Sequence, residues 1–244
     1  MEPSEYQLMA ELEASLWWYR TLHEWTINRI NSFEVGGELT ILDAGCGTGG
    51  LLCQLAESPI SATLFGIDKS AHALDFATTK TNERLICSTV EHMPFNNEVF
   101  DIILCIDVLC HSAVNEKSAL NESFRCLRSG GYLLVHVPAY QWLFSGHDRQ
   151  VHTKRRYTSS ALSRILTDAG FANVTVGYRL SLLFPAMVIS RKLFNSTMSD
   201  VQRIPECLDR LLYAITKLES TITNKGIYFP FGGSVWAIAR KNAA

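Results

Sequence analysis

The chain contains seven cysteines in 244 residues and yet no C-x-x-C pair. The cysteines, at 46, 53, 87, 105, 110, 126 and 207, are odd in number and mostly fall inside expected strands or helices. That excludes a disulfide framework and a zinc site, and is the usage of reduced, buried thiols in a cytoplasm. A strong excess of charge of either sign is also lacking. At a net charge of −2 no global field draws in nucleic acid or an anionic membrane, which leaves room only for local basic patches. Long hydrophobic runs are missing too: the longest, Leu182 to Ile189, is interrupted by Pro185 and is far short of a membrane span. The acidic N-terminus has no signal-peptide layout. A soluble, cytoplasmic protein with no stable membrane insertion is expected.

What the chain does have is a length suited to one α/β domain with additions, arranged around a glycine turn. Ile41-Leu42-Asp43-Ala44 reads as a buried strand, Gly45-Cys46-Gly47-Thr48-Gly49-Gly50 as a sharp turn, and Leu51, Leu52, Leu55 and Ala56 as one face of a helix. Glycine lets the backbone bend and pass close to a bulky ligand, and the helix start aims its positive end at whatever binds. Gly45, Gly47 and Gly50 satisfy the dinucleotide pattern G-x-G-x-x-G, so a nicotinamide-dependent oxidoreductase is one reading. Asp43 argues for another: an acid two residues before the first glycine faces a pyrophosphate badly and suits a ligand with a cationic amino-acid end. Farther on, Ala62–Asp68 reads as a second strand ending in an acid, where a ribose diol is held, and Ser70 as the cap of the next helix.

Asp43-Ala44-Gly45-Cys46-Gly47-Thr48-Gly49 resembles the first motif of class I S-adenosylmethionine-dependent methyltransferases, and Pro94-Phe95 with Phe100-Asp101 matches that family's passage into strand four. His147-Asp148, His152 and Arg155-Arg156-Tyr157-Thr158 look like a bacterial small-molecule branch of that family. The resemblance implies a Rossmann-like α/β fold: a seven-stranded, mostly parallel sheet with flanking helices and an antiparallel last strand. On that plan a single domain comprises an N-terminal helical extension (1–36), a cofactor-binding core (37–178), a helical lid or acceptor insertion (179–234) and a last strand (235–244). S-adenosylmethionine is the implied cofactor and S-adenosylhomocysteine the product. Asp43, Gly45, Cys46, Gly47 and Gly49 fall at its methionine end, Asp68 and Lys69 at its ribose, and Thr89, Val90 and Glu91 at its adenine. Thr89 departs from the acid common there and accepts more weakly, so the Val90 backbone is the better adenine contact. Ile106 and His111, in the loop after strand four, and Arg20, which can pair with a ligand carboxylate, complete the set.

The capping-box pair Ser4 and Gln7 opens a helical pattern that runs to about Asn31 and includes the aromatic group Trp17-Trp18-Tyr19-Arg20. Those rings either cover a ligand or pack a helix on the sheet. Arg84–Cys87, Val99–Cys105, Tyr132–Val137, Ala172–Tyr178 and Val235–Arg240 read as the remaining strands. Asn115 and Thr158 read as helix caps, with Gly130-Gly131 ending the helix that starts at Asn115. Between strand five and the helix at Thr158 lies a long polar loop. Within it His147 or His152 can remove a proton from an acceptor, Asp148 can orient such a histidine, and Arg155 or Arg156 can bind an anion. A structural network pinning the loop is the competing reading. No fixed spacing supports a metal site. Tyr19, Tyr140, Trp142 and Tyr157 are further acceptor-side candidates. The apolar segments Leu182–Phe194 and Leu208–Ile222 build either a lid with an apolar pocket or a homodimer surface. The expected activity is methyl transfer to a small, partly apolar or anionic acceptor, with oxygen first and nitrogen or carbon next. A cofactor-dependent cyclase or isomerase, or a non-catalytic binding protein, is the alternative.

Overall fold

The computed structural model describes residues 3–193 and 203–242. Seven strands form one sheet: β1 (Leu39–Ala44), β2 (Ala62–Asp68), β3 (Arg84–Cys87), β4 (Phe100–Ile106), β5 (Leu127–Pro138), β6 (Ala172–Arg179) and β7 (Ser234–Arg240). Their order is β3-β2-β1-β4-β5-β7-β6. The β1, β2, β3, β4 and β5 pairings are parallel, and β7 runs antiparallel to both β5 and β6. Strand order reverses between β1 and β4, so the loops after these two strands border the crevice in which open α/β sheets bind ligands.

Both faces of the sheet are covered, as the apolar alternation of β4 requires. Ile103 and Cys105 pack on one side with Leu120, Leu162 and Leu166 of α5 (Glu116–Cys126) and α7 (Ser159–Asp168). Ile102 and Leu104 pack on the other with Leu22 and Trp25 of α2 (Trp17–Ile30) and Leu52 and Leu55 of α3 (Gly50–Ala56). Three helices begin at side-chain caps read from sequence. Ser70 accepts from Ala73 N ahead of α4 (Ala71–Thr78), Asn115 from Ser118 N ahead of α5, and Thr158 from Ala161 N ahead of α7.

The N-terminal pattern differs from expectation. It is not one helix to Asn31 but two, α1 (Pro3–Leu12) and α2, and Ser4 lies inside α1 instead of capping it. The chain turns at residues 13–16, with Leu16 extended, so that Leu12, Leu16 and Tyr19 close on one another. Gly130 and Gly131 sit inside β5, and α5 already ends at Cys126, where Leu127 turns extended. The polar loop holds a 3-10 turn at Gln141–Leu143 and a short α6 (Gly146–Gln150). In the 179–234 stretch α8 spans Phe184–Leu193 and α9 spans Glu206–Asn224, while Phe194 lies outside the described residues. All seven cysteines are free thiols, and two of them, Cys87 and Cys207, are exposed, contrary to the expected burial.

Candidate active site

The glycine turn leaves β1 under tight constraint. Gly45 has φ +95°, and a Cβ there would meet Val108 Cγ2 at 2.3 Å, so the turn and the loop after β4 are in direct contact. Gly45 N and Cys46 N donate to Ile67 O at 2.8 and 2.9 Å, and Gly47 N donates to Asp68 Oδ2 at 3.0 Å. Asp68 also accepts from Ser70 N at 2.8 Å. Burial raises its carboxyl above the ordinary range, and these two N–H groups partly offset that.

Asp43 is nearly inaccessible, at 3% exposure. Burial, together with the negative charges of Asp68 and Glu13, pushes it up to about 7. Glu13 was not singled out from sequence. It reaches across from the turn after α1, accepts from Gly50 N at 3.2 Å and pairs with Lys80 beyond α4. The start of α3, expected to point at a ligand, therefore has one N–H taken by the chain's own carboxylate. Gly50 is what permits this approach, since a Cβ there would lie 2.4 Å from the Glu13 carboxyl. Three mutually repelling carboxylates beside a glycine turn form an environment that a cationic ligand relieves.

Beside the turn lies a cavity of about 450 Å³. Trp17, Trp18 and Tyr19 of α2 form one wall, Met187 and Arg191 of α8 with Leu212 of α9 another, and Asp107, His111 and His147 supply polar groups. Asp107 has φ +57°, a costly conformation for a residue with a side chain, held by Asp107 N donating to His136 O at 2.8 Å. Its Oδ1 lies 3.0 Å from Nδ1 of the fully buried His136, which packs between Trp18 and Trp25. The Asp107–His136 pair was missed from sequence. The available signal was an acid at the carboxyl end of β4, next to the switch in strand order. Burial lowers His111 to about 4, so its ring is neutral at pH 7, and it hydrogen-bonds the His152 backbone.

The other expected site residues divide sharply. Tyr19, His111, His147, Asp148 and Arg156 line the cavity. His152 is exposed, with φ +57°, and does not line it. Asp148 is engaged by the loop backbone and by two arginines. Its carboxylate accepts from Ser145 N and Arg156 Nε at 2.8 Å each and lies 3.4 Å from Arg191 Nη1. Burial pushes its pKa up, but Arg156, the Ser145 N–H and Arg191 outweigh that and hold it below the ordinary value. Arg156 also donates to Ala139 O at 2.8 Å, and Arg155 pairs with Glu116 Oε1 at 2.5 Å and donates to His111 O at 3.2 Å. Tyr157 OH donates to Glu116 Oε2 at 2.6 Å and lies 3.0 Å from Leu109 O. These groups are committed to fixing the loop, so the network reading describes them better than anion binding does.

Arg20 is engaged by α9, its guanidinium 4.0 Å from the centre of the Tyr213 ring and 3.9 Å from the Asp209 carboxylate. Ile106 packs into the core beneath α2 and α3. Tyr140 and Trp142 stack on each other in an aromatic group with Tyr178 and Phe184, outside the cavity. Lys69, beside the expected ribose site, is exposed, and in the expected adenine region Thr89 is exposed, the Val90 side chain is buried in the core, and Glu91 accepts from Asn115 N at 2.9 Å.

A family profile described as "Methyltransferase domain" matches residues 42–135, the stretch from the glycine turn through most of β5. That stretch is a methyltransferase domain, and the seven-stranded sheet around it has the fold of S-adenosylmethionine-dependent methyltransferases. The chain's relatives include an uncharacterised protein of Methanocaldococcus jannaschii, 37% identical over 108 residues, which cover 44% of each chain. They also include a ubiquinone biosynthesis O-methyltransferase of Hydrogenovibrio crunogenus, 31% identical over 147 residues, covering 54% of this chain and 59% of that one. The chain thus spans about half the length of these curated relatives. A Thermotoga maritima S-adenosylmethionine-dependent methyltransferase, described as a possible histamine N-methyltransferase, shares the fold with a TM-score of 0.61 at 17% identity over 97% of this chain and 99% of that one.

Proposed function

We propose that this methyltransferase transfers a methyl group from S-adenosylmethionine to a hydroxyl of a small, partly apolar acceptor held in the cavity. One observation carries the reading: the loop after β4 places Val108 against Gly45 of the cofactor turn while its neighbours Asp107 and His111 line the cavity. A donor at the turn and an acceptor in the cavity are then adjacent, which is what positioning catalysis needs. The residues of the turn fit the cofactor, because Asp43, Asp68 and Glu13 form an anionic pocket suited to its positive charges.

Asp43 balances the ammonium end and Asp68 accepts from the ribose hydroxyls. When bound, S-adenosylmethionine supplies an electrophilic methyl on a sulfonium, which departs with its electron pair as S-adenosylhomocysteine. The aromatic wall of α2 orients the acceptor and excludes water. His147 accepts a hydrogen bond from the acceptor hydroxyl and takes its proton as the new carbon–oxygen bond forms, while neutral His111 forms part of the cavity wall beside it. The internal pairing of Arg155 and Arg156 favours an uncharged acceptor over an anionic one. A cavity of about 450 Å³, in a chain with no net positive charge, favours a small molecule over nucleic acid.

The test is incubation with methyl-labelled S-adenosylmethionine and a fractionated metabolite extract, followed by mass spectrometry. A labelled product heavier by one methyl on oxygen is the expected result. Tight cofactor binding with no methylated small molecule across the extract would overturn the acceptor reading.

A further inference from the structure

His136 stands on β5 at a position made for an apolar side chain. Leu134, two residues back on the same face, belongs to the core, and Trp236 of β7 is paired with His136 across the strands. The ring is fully buried, with Trp18 and Trp25 of α2 against it at centroid separations of 5.9 and 6.2 Å. Its Nε2 finds no hydrogen-bond partner among the described residues. Leucine would fill this space without burying a polar ring, so the histidine costs stability unless its other nitrogen serves a purpose. That nitrogen, Nδ1, donates to Asp107, since a carboxylate oxygen only accepts.

Asp107 is gripped by His136 twice and by its own loop once. Asp107 N donates to His136 O at 2.8 Å, Asp107 Oδ1 accepts from His136 Nδ1 at 3.0 Å, and Asp107 O accepts from the Cys110 thiol at 3.1 Å. These contacts hold a backbone at φ +57° and a side chain that lines the cavity while 36% exposed. Its second oxygen, Oδ2, makes no hydrogen bond to the described residues, and no lysine or arginine among them pairs with it. Asp148, in the same cavity wall, is the contrast, since Arg156 and Arg191 engage its carboxylate. A carboxylate clamped through one oxygen and open at the other is arranged to take a donor from a ligand.

We infer that Asp107 binds the acceptor and that His136 is its positioning residue: His136 fixes Oδ1 so that Oδ2 accepts a hydrogen bond from a second donor on the acceptor. That donor is a hydroxyl or N–H other than the group that is methylated. The inference rests on the acceptor occupying this cavity, and it adds a requirement on its chemistry, two polar hydrogens on one partly apolar body. Because the next residue, Val108, abuts Gly45, a donor held by Asp107 also sets the acceptor's distance from the cofactor turn.

The experiment is label transfer from methyl-labelled S-adenosylmethionine into a dilution series of the fractionated metabolite extract, which gives a half-saturating dilution and a maximum rate for each variant. Asp107→Asn keeps an oxygen for His136 and a residue type that tolerates the left-handed region, but turns the outer oxygen into a donor. It should require extract roughly tenfold or more concentrated for half-saturation, as loss of a charge-assisted hydrogen bond implies, with a much smaller change in maximum and none in cofactor affinity. His136→Leu, which fills the core, should reproduce that shift. His136→Asn, whose side-chain N–H falls near the place of Nδ1, should restore most of it, and His136→Leu added to Asp107→Asn should shift it little further. Wild-type half-saturation in Asp107→Asn would overturn the inference, and that variant decides the matter if those at His136 do not fold. A His136→Leu loss confined to the maximum, or one fully additive with Asp107→Asn, would overturn the positioning role. A wild-type protein that labels no fraction would instead remove the acceptor reading, and this inference with it.

Discussion

Asp43 shows how much a single carboxyl depends on its neighbours. Burial and the charges of Asp68 and Glu13 raise it to about 7, so a fraction of it is protonated under ordinary conditions. A cationic cofactor favours the ionised form. S-adenosylmethionine affinity should therefore fall as pH drops from 8 toward 6, approaching tenfold per unit on the acid side, and Asp43→Asn should flatten that dependence. Titration calorimetry at three pH values reads this directly. Asp68→Ala should weaken cofactor binding by about 2–4 kcal/mol, more than one charge-assisted hydrogen bond contributes. His147→Ala should lower turnover by roughly a hundredfold or more while leaving cofactor affinity unchanged. Normal turnover would leave His147 a mere part of the cavity wall.

Among the elements, α1 has the most local dependence on one side chain. Tyr6 packs edge-on to His72 at 6.2 Å, and Lys80 donates to Ala10 O at 2.9 Å, but the link to the glycine turn itself runs through Glu13. Removing that carboxylate strands Gly50 N–H and takes away the partner of Lys80. Glu13→Ala should cost about 1–3 kcal/mol in urea unfolding. It should also expose residues 13–16, already a break between two helices, to limited proteolysis. Unchanged stability and cleavage would mean that α1 is held by its apolar contacts alone.

Across the molecule, two buried carboxyls push stability in opposite directions as pH changes. Asp148, held below its ordinary value by Arg156, the Ser145 N–H and Arg191, stabilises the fold above the unfolded carboxylate range, and that contribution disappears as pH falls through its lowered value. Asp43, raised to about 7, favours the protonated form when folded, so its contribution declines as pH climbs from about 4 to 7. Asp148 ties the loop after β5 to α8 through Arg191. Asp148→Ala should therefore cost about 3–5 kcal/mol, the range for breaking a buried pair. It should also shallow the acid limb of stability followed by denaturant unfolding from pH 3 to 6.

Much of this arrangement was already present in local sequence. β2 and β3 begin and end at the residues that alternation and apolar runs indicate, because a strand between two helical layers must be apolar and bounded by polar turns. The glycine turn and the caps Ser70, Asn115 and Thr158 were equally legible, since each answers a backbone requirement within a few residues of itself. The same local patterns say nothing about distant partners. Glu13 and Gly50 are 37 residues apart, Asp107 and His136 29, and only the assembled sheet with its packed helices brings each pair together. Periodicity likewise marks the apolar stripe of α9 but leaves its direction open. That direction was decided by Asp209, Tyr213 and Glu219 finding polar partners on α2 and at the turn after β6, contacts that exist only once the chain has folded.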